Sequence, residues 1–150
     1  MKIIWAILLM GGMFCFSSVQ AQQSPLALGV RISSNAPIIN NSVSLRYYIN
    51  TNHAVEGLLS FDPLAIGGLY EVFQPLGAEG LSWFYGGGAY VSFKKPANSG
   101  LQGILGLDYN FTNLPLNLSL DWKPELSLIR TVNFEPAAVG ISARFVIPRK

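Results

Sequence analysis

The chain has 150 residues, 50% of them hydrophobic and 12% charged, with a formal net charge of +2. Its basic ends, Lys2 and Arg149-Lys150, account for more than that excess, so no nucleic-acid-binding face is implied. The one cysteine, Cys15, lies in the apolar N-terminal run, which excludes a disulfide framework and a thiolate metal site from the rest of the chain.

The N-terminus has the zones of a secretory signal peptide: Lys2, an apolar run from Ile3 to Phe16, and small residues up to Ala21. Val19 and Ala21 occupy the −3 and −1 positions, predicting Sec export, cleavage after Ala21 and a single mature domain over 22–150. The run is too short for a retained anchor, which needs ~20 apolar residues. Phe14 precedes Cys15 where a lipoprotein signal requires a small residue, so lipidation is not expected.

The remaining apolar residues are spread with a period of two, the repeat of a β-strand. In the first strand Leu26, Leu28, Val30 and Ile32 alternate with Ala27, Gly29, Arg31 and Ser33. The second alternates Val43, Leu45, Tyr47 and Ile49 with Ser42, Ser44, Arg46, Tyr48 and Asn50, and a turn follows at Asn50-Thr51-Asn52. In the third, Val55, Gly57, Leu59 and Phe61 face away from Ala54, Glu56, Leu58 and Ser60.

A fourth strand over Ile66 to Gln74 has two possible phases. Placing Ile66, Tyr70 and Val72 outward and Leu69, Glu71 and Phe73 inward keeps Glu71 away from an apolar exterior. The fifth alternates Leu81, Trp83, Tyr85, Gly87, Ala89, Val91 and Phe93 with Ser82, Phe84, Gly86, Gly88, Tyr90 and Ser92. The sixth sets Leu105, Leu107, Tyr109 and Phe111 against Gln102, Ile104, Gly106, Asp108 and Asn110. After the turn at 112–115, Leu116, Leu118, Leu120 and Trp122 alternate with Asn117, Ser119, Asp121 and Lys123. The last strand sets Val139, Ile141, Ala143, Phe145 and Ile147 against Ala138, Gly140, Ser142, Arg144 and Val146.

Eight strands of ~10 residues fit the mature length with room for short connections, and each can cross a bilayer when tilted. Charge placement decides which face is outside. Arg31, Arg46, Glu56, Glu71, Asp108, Asp121, Lys123 and Arg144 all share the face opposite the apolar one, four of each sign. A soluble barrel shows its polar face to water, whereas a membrane barrel turns it inward. The expected fold is therefore all-β, an eight-stranded antiparallel up-and-down transmembrane β-barrel, with the charges as a lumen network.

Aromatics near the strand ends of the apolar face read as two interfacial girdles: Tyr47, Trp83, Tyr109, Phe111 and Phe145 on the side of the termini, and Phe61, Phe93 and Trp122 on the other. A β-sandwich core or a soluble ligand-carrying barrel is the competing reading of the same alternation.

The segments Gly86-Gly87-Gly88-Ala89, Gly103-Ile104-Leu105-Gly106-Leu107-Asp108-Tyr109 and Leu120-Asp121-Trp122-Lys123-Pro124 resemble the small outer-membrane barrel proteins of Bacteroidota-type bacteria. The chain end, with Gly140, Ala143 and Phe145, resembles the assembly signal of such barrels. That resemblance implies insertion by the outer-membrane assembly machinery and an outer-membrane location. The expected partners are that machinery, the lipid bilayer and its lipopolysaccharide, with a monomeric barrel and no cofactor. Members of that family mostly lack an assigned activity.

Counting across the turn at Thr51 sets Arg46 opposite Glu56, and counting across a Pro63-Leu64 turn sets Glu71 opposite Glu56, so an Arg46–Glu56–Glu71 cluster is expected in the lumen. It reads as a plug, since an eight-stranded interior is just filled by side chains, with a proton or ion path or a paired-carboxylate catalytic site as the alternatives. A two-residue turn at Asn113-Leu114 sets Asp108 diagonal to Asp121, a spacing open to acid-base chemistry, against which stands the reading of Lys123 and Arg144 as simple counter-ions. His53 falls in a turn on the termini side, away from where a lipid-modifying hydrolase of the outer leaflet needs its base, so no catalytic residues are assigned. The glycines at 86–88 lie in mid-strand without a following helix, excluding a phosphate loop. They are expected to leave lumen space for Phe84 and Tyr90 or to allow strand curvature.

Exposed loops are expected at Asn35 to Ile39, Asp62 to Ala65, Lys94 to Gly100 and Glu125 to Pro136. They suit a structural or surface-interaction role, against which stand an outer-membrane lipid-modifying enzyme and a narrow channel or carrier.

Overall fold

The computed structural model describes residues 25–34, 36, 38–129 and 132–148. The expected leader at 1–21, with Lys2 and Cys15, lies outside the described residues, as do Arg149 and Lys150. Ten strand segments follow one another: β1 (Leu26–Ser34), β2 (Ser42–Tyr48), β3 (His53–Phe61), β4 (Leu64–Pro75), β5 (Leu81–Ser92), β6 (Asn98–Asn110), β7 (Leu116–Trp122), β8 (Glu125–Ser127), β9 (Asn133–Glu135) and β10 (Val139–Ile147).

Each of β1 to β6 pairs antiparallel with the next, β7 pairs with β10, and β10 pairs with β1, closing the sheet on itself. Ten segments make eight staves because two staves are interrupted. The register of β6 against β7, Gly106↔Asp121, continues unchanged into β8 at Gln102↔Glu125. Lys123 and Pro124 alone interrupt that stave, Pro124 having no N–H to pair, and the Pro124 carbonyl still accepts from Gly103 at 3.0 Å.

From Trp122↔Val139 to Glu125↔Glu135 one stave advances three residues and its partner four. The extra residue is a β-bulge over 136–138 that joins β9 to β10. The expected loop from Glu125 to Pro136 is thus largely a raised hairpin.

Alternation in the sequence becomes the two surfaces of the barrel, since successive strand residues point to opposite faces. Ala27, Arg31, Arg46, Glu56, Leu58, Leu69, Glu71, Phe73, Phe84, Ile104 and Arg144 are buried inside. Leu28, Val30, Ile32, Leu45, Ile66, Tyr70, Leu105, Leu107, Leu120 and Ile141 stand exposed outside. The fourth strand takes the expected phase and is longer than expected, running from Leu64 to Pro75.

Leu26 pairs with Ile147, so both described ends of the chain lie at one rim, the termini side. Turn chemistry fixes the connections there. The Asn50 side chain accepts from the N–H groups of Asn52 and His53 at 2.8 and 2.9 Å, and Gly77 and Gly80 supply φ values of 78° and 79° between β4 and β5. In mid-strand, a Cβ at Gly86 or Gly88 would run into the carbonyl oxygens of Tyr70 and Gly68 on β4. Close approach of a neighbouring stave, and hence curvature, is the reason for those glycines.

Candidate functional site

The lumen holds the one concentrated set of polar chemistry among the described residues. Arg46, on β2, lies at its centre, fully buried. Its guanidinium meets Glu71 at 2.8 Å, Asp108 at 2.8 Å and Glu56 at 3.6 Å. The rings of Phe73 and Phe84, stacked with centroids 5.2 Å apart, each lie 5.2 Å from the same guanidinium. A cation over aromatic faces recovers part of the electrostatic stabilisation lost by leaving water.

Arg144 forms the second centre. It pairs with Glu56, donates to Ser44 at 2.7 Å, and reaches Asn117 and Ser119 at 3.1 and 2.8 Å. Asn117 in turn donates to Asp108 at 2.8 Å, so the two centres form one network spanning β2, β3, β4, β6, β7 and β10. Arg31 makes a two-pronged pair with Asp121, its Nε 3.1 Å from Oδ2. Bidentate geometry is what a planar guanidinium offers a carboxylate.

Nearer the opposite rim, Lys123 binds Glu125 at 2.6 Å and Gln102 at 3.3 Å. Glu125 also accepts from the backbone N–H groups of Ile38 and Ile39 at 3.3 and 3.2 Å. Ile39 is fully buried and belongs to the interior apolar cluster with Leu58, Leu69 and Tyr90. The connection between β1 and β2, expected as an exposed loop, therefore folds into the mouth of the barrel, and at Ala36 and Ile39 it is buried. Asn35 of that loop lies outside the described residues.

All eight expected lumen charges, Arg31, Arg46, Glu56, Glu71, Asp108, Asp121, Lys123 and Arg144, are buried on the inner face. Their pairing differs from the expectation in three respects. Glu71 stands opposite Ala54, and Glu56 opposite Leu69, because the β3–β4 turn is Asp62-Pro63 rather than Pro63-Leu64. Arg46 still bridges both carboxylates. Asp108 and Asp121 find Arg46 and Arg31 as partners, not Lys123 and Arg144. Glu125, expected in an exposed loop, is a buried ninth member. Continuing the alternation Asp121, Lys123, Glu125 through Pro124 would have placed it inside.

The expected girdle residues all lie on the outer face. Tyr47, Phe61, Phe93, Tyr109, Trp122 and Phe145 are exposed there, and Trp83 and Phe111 are half-buried. Trp122 sits below its rim because the stave continues through β8, and exposed Phe134 on β9 stands higher. His53 also lies outside the lumen, its Nδ1 2.8 Å from the Tyr70 hydroxyl, at the termini side. No group of three or more His, Cys, Asp or Glu side chains among the described residues is arranged to hold a metal ion.

Compared with protein-family models, curated proteins and solved structures, the chain finds no match. The lumen geometry and the outer surface therefore carry the functional reading.

Proposed function

We propose that this chain is a small integral outer-membrane β-barrel, exported and inserted by the outer-membrane assembly machinery, whose lumen is sealed by its own ion-pair network. Its role in this reading is structural or surface-interacting. The inversion of the two faces carries the reading. Nine Asp, Glu, Lys and Arg side chains are buried inside, while the outside presents apolar side chains such as Ile32 and Ile141 at 65% and 62% exposure.

In water such a surface would be a large contiguous apolar patch, which monomeric soluble proteins avoid. In a bilayer it is the required solvent-facing surface, and a closed barrel leaves no unpaired strand edge in the hydrocarbon. The aromatics at the strand ends suit the two interfaces, and the resemblance to small Bacteroidota-type outer-membrane barrels points the same way. Filling an eight-stranded lumen with paired Arg and carboxylate groups suits a seal rather than a conduit.

The test is fractionation of expressing cells followed by electrophoresis of the outer-membrane fraction with and without boiling. A heat-dependent mobility shift in that fraction is expected. Recovery as a soluble periplasmic protein would overturn the proposal.

A further inference from the structure

Charge outside the lumen is sparse and unevenly placed. Among the described residues, the cations on the outside are Lys94 and Lys95, which follow Phe93 just after β5 at the rim opposite the termini. Arg31, Arg46, Lys123 and Arg144 are all buried within. Beneath the two lysines the staves β3, β4 and β5 end in an apolar lip. Phe61 is 64% exposed, Phe93 54% and Leu64 48%. Phe61 pairs with Leu64, and the Phe93 N–H donates to the Leu64 carbonyl at 2.8 Å, so the three residues form one contiguous ledge. Ile66 and Val91, paired with each other and exposed, extend it down the wall.

Among the described residues, other sectors of this rim lack the combination. Ile32 and Val139 are apolar with no described cation beside them, and the β8–β9 hairpin places Glu135 next to Phe134. An aromatic and aliphatic wall capped by two flexible ammonium groups matches an amphiphile with acyl chains below and an anionic headgroup above. Lysine stems lie along apolar surface while their charges reach the headgroup plane.

We propose that Phe61, Leu64, Phe93, Lys94 and Lys95 form a binding site for a phosphorylated glycolipid of the outer leaflet. Acyl chains pack on the ledge and the two lysines take the phosphate. The proposal rests on the membrane reading above, with the rim opposite the termini facing outward. Asp62, in the adjoining β3–β4 turn, opposes the headgroup and limits the net charge of the site to +1.

The folded barrel in neutral detergent micelles is titrated with bisphosphorylated lipid A, with its dephosphorylated form and with inorganic phosphate, and the bound lipid is counted by native mass spectrometry. The wild type is expected to retain the phosphorylated form preferentially. Lys94→Ala with Lys95→Ala should weaken retention roughly 30-fold, at about 1 kcal/mol for each lysine at an anionic surface. Phe61→Ser with Phe93→Ser should weaken both lipid forms, and Asp62→Asn should tighten the phosphorylated one.

Equal retention of the two lipid forms, or retention unaffected by losing both lysines, would overturn the site. Displacement by millimolar inorganic phosphate would also overturn it, by identifying a free-phosphate site instead. A gel mobility shift on boiling, recorded on the same samples, separates these results from failure of the membrane reading, in which the wild type itself would not show the shift.

Discussion

Removing the central cation of the lumen is the sharpest perturbation. Arg46→Ala leaves Glu71 without its closest partner and Asp108 with only the Asn110 and Asn117 amides, while Glu56 keeps Arg144. Stranding a buried charge by deleting its partner costs about 3–5 kcal/mol, and the lost stacking on Phe73 and Phe84 adds to it. The assay is reversible urea unfolding in lipid vesicles, followed by tryptophan fluorescence and by gel mobility. The double variant Arg46→Met with Glu71→Gln should recover part of the loss, because the uncompensated carboxylate is gone. In planar bilayers neither the wild type nor Arg46→Ala should carry a large current, since Phe73, Phe84 and Arg144 still occupy the section. An Arg46→Ala barrel within about 1 kcal/mol of wild type would refute the energetic argument, and a large wild-type conductance would refute the seal.

Three further outcomes are expected. Gly88→Val drives a side chain into the Gly68 carbonyl and should destabilise by about 1–3 kcal/mol, whereas Gly68→Ala meets nothing within 4 Å and should be close to neutral in the same unfolding assay. Glu125→Ala removes the acceptor of the Ile38 and Ile39 amides and the partner of Lys123. Hydrogen exchange at those two amides should accelerate about tenfold or more, and unchanged protection would show that the loop is seated by Ile39 packing alone. Val30→Arg, half-way along β1 on the outer face, should cost about 2–4 kcal/mol in a bilayer, and Val132→Arg, beyond β8, at most about 1 kcal/mol. Equal tolerance of both would point to a barrel in water.

Which residues face inward was legible from sequence, because the strand period is two and the eight charges within the expected strands all fell on the face opposite the apolar one. Register was legible where a turn of small polar residues left one solution. Arg46↔Glu56 follows from the Asn-rich turn at 50–52, and Asp108↔Ser119 from the turn at 113–114. At Asp62-Pro63-Leu64 two turns compete, and Leu64 pairs with Phe61 on the apolar face, moving Glu71 by two positions without changing its parity. Ion partners were not legible, because a guanidinium reaches past its nearest neighbours. Inward Gly29 of β1 lies between Arg144 and Ser44, and inward Gly140 of β10 lies between Ser33 and Asp121. Arg144 reaches across the first gap to Glu56, and Arg31 lies against the second on its way to Asp121. The inserted loop was hidden for a related reason. Ile38 and Ile39 show no alternation, and their acceptor Glu125 lies 86 residues from Ile39 in the chain.

Those long-reach pairs have a consequence for how the barrel selects its register. A one-residue slip of any stave would turn its charges into the exterior, so the apolar pattern alone forbids it. A two-residue slip keeps every residue on its proper face and loses little apolar contact, so alternation does not discriminate against it. The ion pairs do. Sliding β1 by two residues against β10 carries Arg31 away from Asp121, and stranding one buried charge costs about 3–5 kcal/mol, a large fraction of the stability of a domain this size. Replacing the pairs by apolar residues, as Arg31→Met with Asp121→Leu and Arg144→Met with Glu56→Leu, should therefore leave a folded barrel with mixed registers. Residues 22–150 contain no cysteine, so introduced pairs report cleanly. Val30→Cys with Ala143→Cys samples the observed register, and Val30→Cys with Phe145→Cys the slipped one. Cross-linking of the first pair alone is expected with the network intact, and of both pairs without it. A single register in the apolar variant would show that turns and packing specify the barrel unaided, and that the buried charges serve the lumen only as filling.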